Sequence, residues 1–326
     1  MKPKFSVIIP LHNKAPYVHK ALDSVMAQTF TDFELIIVDD GSTDNSASIC
    51  EAYLKSLTRT FAHSLIRQGN SGVAAARNNG VAASSGDLLC FLDADDWWKP
   101  TFLMEMNKLI EAYPDAGLYA TNYIYYKPGK THVALGLKTG YINYAEAYLN
   151  SAAMPICTIA TCMPRRVFDA VGGFPVGIKL GEDFLLWVKT ALHYPVVFSE
   201  KPLAYYNNDV PASLRATRNL HAPQYHMLFN LDSIIDDLQL TPYTVHRDAW
   251  MRLFDKLRTS GLMDYWLSDE YHDAAAAELK KVDWSKQPKS AGAQYKKPIW
   301  LLKVKRWIMR AGSYCKQKLI KLYLFV

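Results

Sequence analysis

The sequence predicts an α/β fold: a mainly parallel sheet with helices on both faces, followed by a helical C-terminal region. Three observations carry that expectation. Short runs of apolar and β-branched residues alternate with longer segments of helical period through the first hundred residues. The apolar runs are nearly continuous, as in strands covered on both faces. Each run ends in a polar or acidic cluster, and open parallel sheets bind ligands at the carboxyl ends of their strands.

Taken in order, residues 5–9 read as a strand, 16–28 as a helix and 33–38 as a second strand rich in Ile and Val. Asp39-Asp40-Gly41-Ser42-Thr43-Asp44 is turn chemistry, with Thr43 or Asp44 as N-cap of a helix over residues 45–57. Residues 61–66 form a third strand, 72–83 a helix of small residues, and 87–92 a fourth strand. The polar clusters at 10–13, 39–42 and 93–96 all follow strands, so this fold gathers them along one edge. Beyond residue 215, segments 221–240, 243–260 and 269–281 are candidate helices.

Composition limits what such a chain does. Half of its 326 residues are hydrophobic, enough for a sizeable core. Its five cysteines (50, 90, 157, 162 and 315) include no Cys-x-x-Cys pair and are odd in number, which argues against a disulfide framework and for a reducing cytosol. The apolar segment 5–10 is too short for a signal-peptide core. No stretch has the roughly eighteen uninterrupted apolar residues of a membrane span. The expected place is therefore cytoplasmic, soluble or peripheral on the inner face of the cytoplasmic membrane.

Charge is unevenly spread. Residues 296–326 hold nine of the 37 basic groups and no acid, so the rest of the chain carries 28 basic against 31 acidic groups. That body gives no basis for nucleic-acid binding. In the tail, Leu301, Val304, Ile308, Ala311, Cys315, Leu319 and Leu322 recur at steps of three and four, an amphipathic helix. Such a helix lies in an anionic membrane interface, or packs on the body with its charges in water, or, as a third and weaker option, binds RNA. Histidines 193, 221, 226, 246 and 272 form no zinc-spaced set with the cysteines. The tyrosines at 119–126 and at 141, 144 and 148 read as packing.

The acidic cluster Asp93-Ala94-Asp95-Asp96 follows the apolar run 88–92. Two carboxylates one residue apart at a strand end offer hard oxygens to Mg²⁺ or Mn²⁺, which in turn neutralises a diphosphate. Neither a Gly-x-x-x-x-Gly-Lys-Ser/Thr loop nor a Gly-x-Gly-x-x-Gly after the first strand is present, which disfavours both P-loop nucleotidases and dinucleotide-dependent dehydrogenases.

Four segments then point the same way: Phe5-Ser6-Val7-Ile8-Ile9-Pro10-Leu11-His12-Asn13, Val38-Asp39-Asp40-Gly41-Ser42-Thr43-Asp44, Asn70-Ser71-Gly72-Val73-Ala74-Ala75-Ala76-Arg77-Asn78 and Phe91-Leu92-Asp93-Ala94-Asp95-Asp96. In this order and spacing they resemble family 2 glycosyltransferases of the GT-A fold. The resemblance implies that Pro10 and His12 line a nucleobase pocket, His12 replacing the commoner Tyr, and that Asp39 hydrogen-bonds the base. A carboxylate acceptor suits the N3–H of uracil, and equally that of thymine. It further implies that Asn70 and Arg77 contact the nucleotide, that Asp93 faces the ribose, and that Asp95 ligates Mn²⁺ or Mg²⁺, with Asp96 starting the next helix. Asp40 reads as part of a strand-to-helix turn.

A second match covers Cys162-Met163-Pro164-Arg165-Arg166-Val167-Phe168-Asp169-Ala170-Val171-Gly172-Gly173-Phe174 and Gly181-Glu182-Asp183-Phe184-Leu185-Leu186-Trp187. It resembles the family's acceptor-side motif, where a Glu-Asp pair opens a helix beneath the reacting sugar. Asp183 matches the catalytic base, and Glu182 lies on the acceptor or phosphate side. The chain departs from the family at Tyr205-Tyr206-Asn207-Asn208-Asp209-Val210-Pro211-Ala212-Ser213-Leu214-Arg215, where members often carry Tyr-Arg-x-His. Asp209 replaces that His as a metal ligand, or the segment is an ordinary loop whose Arg215 meets the phosphates. The Gln-x-x-Arg-Trp motif of processive synthases is absent, which favours addition of a single sugar.

The resemblance covers residues 5–215 and gives the expected organisation: a GT-A domain over 1–215 (nucleotide half 1–98, acceptor half 99–215), a helical extension over 216–295 and a basic amphipathic helix over 296–326. The expected partners are a UDP-sugar donor, a saccharide or lipid-linked saccharide acceptor and an anionic membrane surface. Three functions stay in view: an inverting transferase of the bacterial surface-glycan type, serving lipopolysaccharide or capsule; a catalytically silent nucleotide-sugar-binding subunit; and a sugar nucleotidyltransferase. Intact Asp93, Asp95 and Asp183 favour the first.

Overall fold

In the computed structural model, which describes residues 2–58, 61–211, 214, 220–238 and 247–303, the N-terminal apolar run forms strand β1 (Phe5–Leu11), buried along its whole length. It pairs in parallel with β2 (Phe33–Asp40), which pairs in parallel with β3 (His63–Gln68). On its other side β1 pairs in parallel with β4 (Leu88–Phe91). Register brings Leu11 level with Asp39, Asp40 with Gln68, and Ile8 with Phe91, so the polar clusters emerge at one edge. The chain runs from β1 to β2 and β3, then returns past β1 to β4. That reversal opens the crevice in which α/β sheets bind ligands.

Helices α1 (Val18–Met26), α2 (Ser46–Ser56) and α3 (Val73–Ala83) connect these strands. Phe5, Val7, Ile8, Ile9 and Leu11 are fully buried. Each contributes about 1.5–3 kcal/mol relative to an exposed position.

Beyond β4 the sheet is mixed. The chain continues through β5 (Trp97–Trp98), helix α4 (Phe102–Ala112), β6 (Leu118–Lys127), β7 (Lys130–Val133), β8 (Gly140–Ile142), α5 (Tyr144–Asn150), β9 (Thr161–Pro164), α6 (Arg165–Val171), α7 (Glu182–His193) and β10 (Val196–Asn207). Sheet order is β3-β2-β1-β4-β9-β6-β10-β5. Only β6 and β10 pair in parallel in this half; β9 runs antiparallel to β4 and β6, and β5 and β8 antiparallel to β10. The α/β class and the helical C-terminal region are as expected, whereas beyond the first four strands the sheet is mixed, with a parallel β6–β10 pair among antiparallel neighbours.

The chain divides into two compact units, residues 1–249 and 250–326. Residues 221–231, expected to be helical, instead carry two 3₁₀ turns (Pro223–Tyr225 and Met227–Phe229), with Pro223 lacking the N–H a longer helix needs; a helix follows at Asp232–Leu238. The second unit contains helices including Met263–Trp266 and His272–Lys280, and Leu253, Phe254, Leu257, Leu262 and Leu279 are buried. Arg258, 1% exposed, pairs with Glu278 at 3.0 Å. No described helix is long and apolar enough to cross a membrane. The amphipathic pattern past residue 303 lies outside the described residues.

Candidate active site

Pro10, at the buried end of β1, leads into His12 and Asn13. His12 donates its Nδ1–H to the carbonyl oxygen of Asp40 (2.8 Å), and the Asn13 and Asn70 amides stand 3.3 and 3.4 Å from Nε2. Asn13 adopts φ 52°, a left-handed conformation Asn tolerates, and its Oδ1 accepts from the backbone N–H of Thr43 at 2.8 Å. The loops after β1 and β2 are thereby joined. Asp39 is buried; one carboxylate oxygen accepts from the Ser42 N–H at 3.1 Å. Asp40, read as part of the turn after β2, is instead the last residue of that strand, and its carboxylate accepts from the backbone N–H groups of Ser71 (2.7 Å) and Gly72 (2.9 Å) ahead of α3. The N-cap of α2 is Asn45 rather than Thr43 or Asp44, because the helix begins only at Ser46; Asp44 accepts from the Ser46 N–H at 2.9 Å.

The acids after β4 each have a distinct environment. Asp93 receives the Arg77 Nη2–H at 2.7 Å, and Arg77 Nη1–H reaches Glu182 at 2.8 Å. The resemblance places Arg77 at the nucleotide and Glu182 on the acceptor or phosphate side. Here the Arg77 side chain is 4% exposed and bridges the loop after β4 to the start of α7, with Glu182 as its buried counterion. Burial alone would lower the Arg77 pKa, but Asp93, Glu182 and Asp183 outweigh it and raise it, so the guanidinium stays charged. Asp95 accepts from the Lys14 ammonium at 2.6 Å; burial raises its carboxyl above the usual range, against the pull of Lys14. Asp96 does not start a helix. It is buried, accepts from the Asn207 N–H at 2.7 Å, and burial beside Asp95 and Asp93 pushes it well above the carboxylate range; α4 begins only at Phe102 because β5 intervenes.

Asp183 lies in the first turn of α7, entered through Gly181 at φ 85°. A Cβ at Gly181 would lie 2.4 Å from Met227 Sδ, so the left-handed turn and the close approach both require glycine. Asp183 Oδ2 accepts from the Thr158 hydroxyl at 2.7 Å, and Oδ1 from the Phe184 N–H at 2.7 Å. Neighbouring Cys157 is buried and its thiol is pushed up by burial, then by Asp96, Asp183 and Asp93. The two acidic groups thus face one region. Tyr148, set aside as packing, has its ring 5.6 Å from that of Phe184, and Tyr206 lies 5.7 Å from Tyr125.

Among the described residues no group of three or more His, Cys, Asp or Glu side chains gathers to hold a metal. What the chain offers is Asp95, which accepts from Lys14 through Oδ2, beside Asp93, which accepts from Arg77 through Oδ1. Few hard oxygens suit Mg²⁺ or Mn²⁺ shared with a diphosphate better than a resident ion in an all-protein cage. Asp209 is exposed on the turn two residues beyond Asn207, and Arg215 lies outside the described residues.

Residues 6–169 match the family model described as "Glycosyl transferase family 2". The chain belongs to glycosyl transferase family 2. It is similar to the glycosyltransferase GlyA of Streptococcus pneumoniae, 38% identical over 120 residues, which are 37% of this chain and 17% of GlyA. The match spans 17% of GlyA and 41% of a second relative, the glycosyltransferase GlyG of the same organism, so the chain covers less than half the length of either. The fold is similar to that of Staphylococcus aureus TarS 1–349 in complex with UDP-GlcNAc, with TM-score 0.60 and 19% identity, over 97% of this chain and 83% of that one. It is also similar to the mannosyltransferase PcManGT of Pyrobaculum calidifontis, solved with GDP-Man and Mn²⁺, with TM-score 0.55 and 21% identity, over 100% of this chain and 86% of that one. Three side chains of this family 2 domain escape sequence reasoning: Asn13, Lys14 and Thr158. Asn13 closes the first quoted segment and Lys14 follows it; Thr158, among apolar neighbours, leaves no local signal.

Proposed function

We propose that the protein is an inverting glycosyltransferase that moves one sugar from a UDP-linked donor to a hydroxyl of a saccharide or lipid-linked saccharide. The observation that carries the reading is the Arg77 bridge: its two terminal nitrogens hold Asp93 and Glu182 one guanidinium apart. This sets the donor-side acids beside the residue next to Asp183. Asp183 takes the proton of the acceptor hydroxyl as that oxygen attacks the anomeric carbon from the face opposite the nucleotide. The bond to the diphosphate oxygen breaks, and its electron pair leaves with the nucleoside diphosphate. One displacement inverts the anomeric centre, so an α-linked donor gives a β-linked product.

Asp39 accepts from the N3–H of uracil, Pro10, His12 and Asn70 border the base, and Asp93 faces the ribose. Asp95 would hold Mn²⁺ or Mg²⁺, with Asp209 as a second oxygen donor, and such an ion would supply charge neutralisation for the leaving diphosphate in place of a protein general acid. Exposed Ile299 and Trp300, near Lys296, Lys297 and Lys303, support a peripheral place on the cytoplasmic membrane.

Calorimetry with UDP, GDP and dTDP, in Mn²⁺ and then in EDTA, tests the reading. UDP is expected to bind best, and both EDTA and Asp95→Ala to abolish binding. Asp183→Asn is expected to bind UDP normally while donor turnover falls about 10²-fold or more, the scale of a lost general base. Absence of metal-dependent binding by any of the three would sink the proposal.

A further inference from the structure

Lys14 has no place in the mechanism above, yet its surroundings fix it firmly. Its N–H donates to Ser46 Oγ at 2.8 Å, and its carbonyl oxygen accepts from Tyr17 and Val18 at the start of α1 (2.9 and 3.1 Å). From that anchored backbone the ammonium reaches Asp95 Oδ2 at 2.6 Å and the Leu214 carbonyl oxygen at 3.1 Å. The pair is largely withdrawn from water, the side chains being 16% and 18% exposed. Ion pairs shielded in this way interact much more strongly than surface pairs.

In the donor-free site Lys14 holds Asp95, while Arg77 is shared by Asp93 and Glu182. A divalent ion arriving alone on Asp95 would meet an ammonium on the same carboxylate. An ion arriving with a diphosphate brings oxygens to which the ammonium can transfer.

We propose that Lys14 couples metal to nucleotide: it occupies Asp95 in the donor-free protein and moves to the diphosphate when metal and nucleotide bind together. The inference rests on the donor-site reading above.

The test is Mn²⁺ binding, followed by the EPR signal of the free ion with and without UDP, for wild type, Lys14→Gln and Lys14→Arg, each checked for folding by thermal melting. Lys14→Gln is expected to bind Mn²⁺ alone about tenfold more tightly and UDP in saturating Mn²⁺ about tenfold more weakly, a coupling of ordinary allosteric size. Lys14→Arg is expected to stay near wild type. Unchanged or weaker Mn²⁺ binding by folded Lys14→Gln would overturn the proposal and leave the ammonium a structural tie. Failure of wild type to bind UDP would instead overturn the donor-site reading, while the comparison in Mn²⁺ alone still decides the role of Lys14.

Discussion

A carboxylate works as a base only if it is aimed, and Asp183 is aimed by two donors, the Thr158 hydroxyl and the Phe184 N–H, each at 2.7 Å. Each oxygen keeps a lone pair for a substrate proton. Thr158→Val keeps the shape and removes one donor. Steady-state kinetics are expected to show kcat about tenfold lower with KM for the donor unchanged and Thr158→Ser near wild type, a loss of about 1.4 kcal/mol from the transition state alone. Equal activity of Thr158→Val would show that the hydroxyl only fills space. The same pair shows where sequence reading stops. Pro10, His12, Asp39, Asp93, Asp95 and Asp183 were legible as candidates because each sits at an element's end beside a recognisable run. The partners Thr158 and Lys14 lie 25 and 81 residues from the acids they bind, and only folding brings them together. Arg77 likewise reads as a donor contact in sequence, and its burial between two carboxylates is a tertiary fact.

The small-residue helix α3 shows how an element is shaped by what it lies on. A Cβ at Gly80 would come within 2.5 Å of Ile8 Cγ2 and 3.3 Å of Val38 Cγ2, so α3 rests almost in backbone contact with β1 and β2. Ile8 and Val38 are fully buried, β-branched and stiff, and cannot turn aside. Gly80→Val is expected to cost about 1–3 kcal/mol through overpacking. At about 2–4 °C per kcal/mol for a domain of this size, a thermal melt should fall by several degrees. An unchanged melt would mean that α3 has room to lift. Elements of the first hundred residues were readable to within a few positions because apolar continuity and turn residues are local signals. Strand direction beyond β4 was not. Burial patterns such as that of β9, between β4 and β6, are the same whether neighbours run parallel or antiparallel.

At the scale of the whole molecule, acid stability brings groups of opposite sign together. His226 is 8% exposed, its Nδ1 accepts from the Leu228 N–H at 3.1 Å, and burial, then His221, lowers its pKa to about 4. A histidine free in the unfolded chain takes up its proton near pH 6.5, whereas the folded one stays neutral until about pH 4. Stability therefore falls as pH drops through that window, by up to about 3 kcal/mol from this residue. Asp95, Asp96 and Glu182 act the other way, because their folded pKa values are raised and the native state binds the extra protons. Glu34 contributes later. Burial works against its charge, but hydrogen bonds from Ser6, Ser85 and Gly86 hold it below its ordinary 4.5, so its stabilisation is lost only as pH falls below that value. The total slope is thus a sum of opposed parts, and a variant isolates the histidine. Urea unfolding at pH 7 and pH 4.5 is expected to show wild type losing about 2 kcal/mol more than His226→Gln between the two. Equal losses would mean that His226 is protonated as readily in the folded protein as in the unfolded chain. The consequence reaches the site, since Met227 donates its N–H to the Leu180 carbonyl at 3.0 Å and packs under Gly181. A proton on Nδ1 removes the acceptor that holds Leu228 and loosens the support on which the turn into α7, and with it Asp183, is built.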